Sequence, residues 1–144
     1  MATFKRTASA VWHGPLDKGS GTLTTGSKVL NEQPYGFKMR FDNDPGTNPE
    51  ELIGAAHAGC FTMALTALLA REKLAPTLIH TTASVHLAQG AGGFTIPKIE
   101  LVTRAQVPGV TAERFAALAA DAKVNCPVSK ALAGAEITLD AALE

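Results

Sequence analysis

Residues 49–71 read PEELIGAAHAGCFTMALTALLAR, from Pro49 to Arg71. This stretch predicts the longest helix of the chain, and the rest of the fold is read outward from it. Proline suits the first helical turn. Thr47 and Asn48 are N-cap candidates just before it. Thr47 with Glu50, or Asn48 with Glu51, has capping-box spacing. The expected core stripe is Leu52, Ile53, Ala56, Cys60, Met63, Ala64 and Ala67. Its side chains are mostly small, so a covering element can come close. The longest apolar stretch, Cys60 to Ala70, is interrupted by Thr62 and Thr66 and is too short to span a bilayer, so no membrane partner is expected.

On the N-terminal side, Thr3 to Trp12 reads as a strand. A Gly- and Thr-rich stretch follows, with a short strand at Thr22–Thr25 and turns at Gly19–Gly21 and Pro34–Gly36. Phe37 to Phe41 alternates Phe37, Met39 and Phe41 against Lys38 and Arg40, which predicts another short strand. On the C-terminal side, Thr81–Ala88 and Ile99–Val107 alternate and flank a turn at Gly90–Gly93, the pattern of a hairpin. Thr111 caps a helix running through Lys123. Cys126-Pro127 restarts a short helix ending near Gly134, and Glu136–Ala141 is a last strand. Strands and helices do not alternate strictly, so the class is α+β with a mostly antiparallel sheet. No repeat or linker interrupts the pattern, and a single domain over 1–144 is expected.

Thirteen basic and thirteen acidic residues cancel, with no Lys/Arg cluster. Nucleic acid is therefore not an expected partner. The N-terminus has no signal-peptide pattern, which makes the cytoplasm the expected location. A reducing cytosol seldom keeps a structural disulfide, and a paired thiol there is more often transient and catalytic. The only cysteines are Cys60 and Cys126, with no CxxC, so no metal site is expected.

Cys60 lies on the apolar stripe, where a cysteine is commonly a small buried hydrophobe. Three turns from the helix start, it gains little from the helix dipole, and a thiolate there needs another cation. Cys126 sits at a helix start whose N–H groups favour a thiolate, so local physics makes it at least as reactive as Cys60. Arg40 is either an exposed strand arginine or that missing cation. Glu50 and Glu51 complement the helix dipole, and one of them could also orient an arginine. His57, three residues before Cys60, makes a Cys–His dyad conceivable, although a satisfied core histidine is the better explanation.

Three segments carry a family resemblance. The first runs Val29-Leu30-Asn31-Glu32-Gln33-Pro34-Tyr35-Gly36-Phe37 with Arg40-Phe41. The second runs from Gly46 through Cys60-Phe61, and the third is Asn125-Cys126-Pro127-Val128-Ser129. Through them the chain resembles, essentially end to end, the osmotically inducible protein C (OsmC) branch of the OsmC/organic hydroperoxide resistance (Ohr) family. The resemblance implies a thiol-dependent peroxidase that reduces hydroperoxides, preferably organic ones, in stress defence. It makes Cys60 the peroxidatic cysteine and Cys126 the resolving one. Arg40 is then the holder of the thiolate and Glu50 the carboxylate that positions Arg40. It implies an intertwined homodimer with two long central helices wrapped by strands and two sites at the subunit interface. It also implies turnover by a dithiol such as dihydrolipoamide and no metal or other cofactor.

The resemblance sets a geometric problem. Glu50 and Cys60 are ten residues apart, roughly 15 Å along a straight helix. Either the helix breaks, with Gly54 the candidate, or Arg40 or Glu50 reaches the site from the partner chain; the second is expected. The rival readings are a non-enzymatic stress or ligand-binding protein with incidental cysteines, and a Cys60–His57 hydrolase.

Overall fold

The computed structural model describes residues 1–144. It has the α+β architecture expected, as two compact units, Met1–Leu52 and Ile53–Glu144.

The first unit holds an antiparallel sheet of β1 (Ala8–His13), β2 (Ser20–Thr25) and β3 (Gln33–Tyr35), in that order. Gly21 pairs with both Trp12 and Tyr35. The two rings meet edge to face across it, centroids 5.8 Å apart. A Cβ at position 21 would come within 2.6 Å of both rings, so glycine is what lets them close over the strand. The expected first strand is shorter than read and the Pro34–Gly36 turn is instead mostly β3.

The Phe37–Phe41 reading is corrected. Lys38–Phe41 is one helical turn, α1, closed by Asp42 N–H on the Lys38 carbonyl at 2.7 Å. An alternating run of five residues fits either period. The turn places Phe37 and Phe41 four residues apart on one side, and their rings pack with centroids 5.0 Å apart.

Helix α2 runs unbroken from Pro49 to Arg71, which removes a break at Gly54. Asn48 is the cap: its Oδ1 accepts from Glu51 N–H at 2.9 Å, and Thr47 Oγ1 donates to the Glu51 carboxylate at 2.7 Å. Of the two possible capping boxes, one half of the Asn48–Glu51 box forms, with the Glu51 carboxylate taken by the Thr47 hydroxyl instead of the Asn48 N–H, which leaves Glu50 for another partner.

In the second unit, β4 (Leu78–Gly90) and β5 (Gly93–Gln106) form the expected hairpin. Helices α3 (Ala112–Asn125) and α4 (Pro127–Ala131) follow, and the crossover they make brings β6 (Glu136–Leu143) parallel to β5. The other strand-to-strand pairings are antiparallel. Ile99, Leu101, Thr103, Ala105 and Val107 are buried on one face, as their alternation predicts. They meet Phe61, Leu65 and Leu69 of α2 and Phe115, Leu118, Ala119 and Ala122 of α3. The opposite face carries the ion pairs Lys98–Glu100 and Arg104–Asp140 and a hydrogen bond between His86 and Glu100.

The core stripe of α2 also needs correction. Gly54, His57, Phe61, Leu65 and Leu69 are buried, whereas Ala56, Met63 and Ala67 are exposed. The helix is apolar nearly all round, so periodicity alone does not choose the face turned to the sheet. Its inner face carries a hydroxyl chain in which Thr62 donates to Thr81 at 2.8 Å and Thr81 meets Thr103 at 3.0 Å. By length and composition α2 could cross a membrane, so the length argument against one does not hold for the whole helix. These hydroxyls, with buried His57, mark a helix whose inner face is fitted to a protein core.

Candidate active site

Capping decides where Glu50 points. With Asn48 and Glu51 closing the helix start, the Glu50 carboxylate takes Arg40 in a forked pair. Arg40 Nη2 lies 2.5 Å from Oε1, and Nε lies 3.1 and 3.2 Å from the two oxygens. The glutamate is buried and the arginine side chain is 29% exposed. Bonding to Arg40 holds the Glu50 carboxyl below its ordinary value against the opposing effect of burial. Bonding to Glu50 raises Arg40 further. Asn48 Nδ2 donates to the Met39 carbonyl at 3.0 Å and ties α1 to the same helix start. Beside the guanidinium opens a cavity of about 310 Å³, lined by Trp12, Leu16, Tyr35, Phe37, Pro49 and Arg40.

The second unit holds the thiols. Both are free, Cys60 partly exposed and Cys126 fully buried. The two thiols act on each other, Cys126 raising Cys60 and Cys60 lowering Cys126. Burial pushes the Cys60 thiol up, and its bond to Cys126 pushes it further, against a smaller opposing effect of the Val128 backbone. Burial also pushes Cys126 up, but bonds from Cys60, from the Ser129 N–H and hydroxyl and from the Val128 backbone outweigh it and leave this thiol below its usual value. Cys126 is the N-cap of α4, its sulfur accepting from Ser129 N–H at 3.4 Å. The local argument from sequence, that Cys126 is at least as ready a thiolate as Cys60, agrees with this arrangement.

His57 does not form a dyad with Cys60. Its Nε2 lies 2.7 Å from Ser129 Oγ, and its buried Nδ1 has no partner. Burial lowers its pKa, so the ring is neutral. Ser129 escaped the sequence reading as a site residue. The available signal was its place three residues beyond the N-cap Cys126, the spacing at which a backbone N–H returns to a capping side chain. Of the four residues expected at the site, Arg40 and Glu50 thus meet each other in the first unit, and Cys60 and Cys126 meet in the second. No group of His, Cys, Asp and Glu able to hold a metal is present.

The family model described as OsmC-like protein matches residues 41–141. This chain belongs to the OsmC-like family. It is 51% identical over 138 residues to Peroxiredoxin OsmC of Escherichia coli, covering 96% of each chain. It is 40% identical over 90 residues to an organic hydroperoxide resistance protein of Xanthomonas axonopodis pv. citri, covering 62% of this chain and 61% of that one. Among solved structures, an organic hydroperoxide resistance protein from Elizabethkingia anophelis superimposes with a TM-score of 0.79 at 30% identity, covering 100% of both chains. The OsmC-like fold and family expected from the motifs are therefore established.

Proposed function

We propose that this OsmC-like protein is a cysteine-based peroxidase that reduces hydroperoxides, preferentially organic ones, to alcohols. Its role is in defence against oxidative and osmotic stress, in the cytoplasm. One observation carries the assignment of roles: two free thiols near enough to act on each other's protonation, one partly exposed and one fully buried. The exposed thiol can meet a peroxide and the buried one can only meet the first.

Cys60 thiolate attacks the terminal oxygen of ROOH. The O–O bond breaks, the alkoxide takes a proton and leaves as ROH, and Cys60 becomes a sulfenic acid. The Cys126 thiol condenses with it, forming the disulfide and releasing water before a second peroxide can over-oxidise the sulfur. A dithiol, with dihydrolipoamide the candidate, restores both thiols by exchange. These steps call on no metal or haem.

Within its own chain Cys60 is pushed away from the thiolate. A cation must offset that, and Arg40, pre-oriented by the Glu50 fork, is the one we assign. It also donates to the departing alkoxide. The apolar cavity beside Arg40 suits the organic part of ROOH. We infer that residues 1–144 act as one OsmC-like domain and that two chains form a homodimer. The exposed apolar face of α2, with Ala56, Met63 and Ala67, provides the surface.

Expected outcomes are specific. Cys60→Ser abolishes peroxide reduction. Cys126→Ser permits one oxidation and then accumulates sulfenic or sulfinic acid at Cys60. Mass spectrometry after stoichiometric peroxide reads both. Equal oxidation of Cys126 in the Cys60→Ser protein would reverse the two roles, and failure of one equivalent of peroxide to consume both wild-type thiols would leave a non-enzymatic protein.

A further inference from the structure

His57 is the buried titratable group that the mechanism above does not use. It is fully buried on the inner face of α2, where a leucine would pack at no polar cost. One ring nitrogen is unpaired, and such a buried polar atom calls for an explanation. Its other nitrogen goes to Ser129, 72 positions along the chain. Ser129 in turn donates its backbone N–H to the Cys126 sulfur at 3.4 Å, and its hydroxyl also acts to favour the Cys126 thiolate. The chain of contacts therefore runs His57, Ser129, Cys126, Cys60.

The geometry points to His57 and Ser129 as positioning residues that present Cys126 as a thiolate to the oxidised Cys60. The inference rests on the peroxidatic and resolving roles proposed above.

The polarity of the network follows from its unpaired atom. An orphaned buried N–H is rarer than an under-satisfied acceptor. The proton is accordingly assigned to Nε2, leaving Nδ1 as the unpaired acceptor. Nε2–H then donates to Ser129 Oγ, and the hydroxyl hydrogen is left to point at the Cys126 sulfur. Two Ser129 donors converge there, and hydrogen bonds to a charged form favour that form. The other groups acting on this sulfur are the Cys60 thiol on α2 and the backbone of Val128 on α4. The neutral ring fixes the hydroxyl's direction without adding charge.

The chemistry uses this twice. In the forward step Cys126 thiolate attacks the Cys60 sulfenic sulfur; the S–S bond forms, the S–O bond breaks, and hydroxide takes up the proton that left Cys126 and departs as water. In the regenerating step one thiolate of the dithiol attacks the more exposed Cys60 sulfur. Cys126 leaves as a thiolate, and the second thiol of the reductant then releases Cys60. A better-stabilised leaving thiolate departs faster.

Ser129→Ala tests this, because it removes the hydroxyl and little volume. Single-turnover oxidation with a stoichiometric organic hydroperoxide, quenched with a sulfenic-acid trap and read by mass spectrometry, separates Cys60 oxidation from disulfide formation. Ser129→Ala should leave the first step unchanged and slow the second about tenfold at neutral pH, with its pH midpoint raised by about one unit. His57→Leu should behave alike, while His57→Gln, which keeps an N–H able to reach the hydroxyl, should restore much of the rate. An unmoved pH midpoint, or equal slowing of both steps, would make the network scaffolding only and overturn the inference. Wild-type protein that forms no Cys60–Cys126 disulfide overturns the proposed function itself, and this inference with it.

Discussion

Arg40 commits two of its nitrogens, Nε and Nη2, to Glu50. A planar fork held in this way still has donors to offer elsewhere, whereas an ammonium at the end of a flexible stem cannot meet both carboxylate oxygens in the same geometry. Arg40→Lys should therefore slow Cys60 oxidation at least about tenfold, a barrier increase of about 1.4 kcal/mol. Pre-steady-state oxidation by an organic hydroperoxide measures it, and a wild-type rate would remove Arg40 from the mechanism. His57 makes a second residue-scale statement, through pH. Burial lowers its folded-state pKa. Below the unfolded value of about 6.5, the unfolded chain binds a proton that the folded chain does not. The unfolded state then holds more protons, so stability falls as pH drops through that window, by up to about 1.4 kcal/mol per unit from this residue. Urea midpoints from about pH 7 to about pH 5 should thus fall more steeply for wild type than for His57→Gln, which cannot titrate there.

At the scale of elements, α2 has two apolar faces and one chain covers only one of them. Met63 is 75% exposed, beside exposed Ala56 and Ala67. Met63→Glu leaves the inner contacts of Phe61, Leu65 and Leu69 alone and places a charge on the bare face. The expected result is a folded protein with native circular dichroism that sediments as a monomer and lacks turnover. A Met63→Glu dimer of normal activity would take this face out of the assembly. The same double-faced character explains where sequence reading succeeded and where it did not. Pro49, Asn48 and Glu51 announced the helix and its start, because capping is local chemistry. The buried face was misread because a helix apolar on all sides has no periodicity to choose by. The inner face of β5 was legible residue by residue, since Ile99 to Val107 alternates beside a polar opposite face. Phe37–Phe41 was not, because five residues support either period and the packing of the two phenylalanine rings decides for a helical turn. The four expected site residues were legible only through motifs. The partnership of His57 with Ser129 was not legible at all, being made by the crossover that returns α4 to α2.

At the scale of the whole molecule, the unbroken helix makes the two-chain site testable. Glu50 and Cys60 lie on one continuous helix, ten residues apart, a rise of roughly 15 Å. Glu50 holds Arg40 from its own chain. The prediction is that an arginine tethered in this way serves Cys60 of the partner subunit in the proposed homodimer. Mixing Arg40→Ala chains with Cys60→Ser chains distinguishes the cases. Each homodimer lacks one residue at both sites and should be inactive. The heterodimer unites the intact Arg40 of one chain with the intact Cys60 of the other at one of its two sites. Purified by dual affinity tags, it should regain up to half of wild-type peroxidase activity. If chain exchange is verified by mass and no activity returns, Arg40 serves the Cys60 of its own chain.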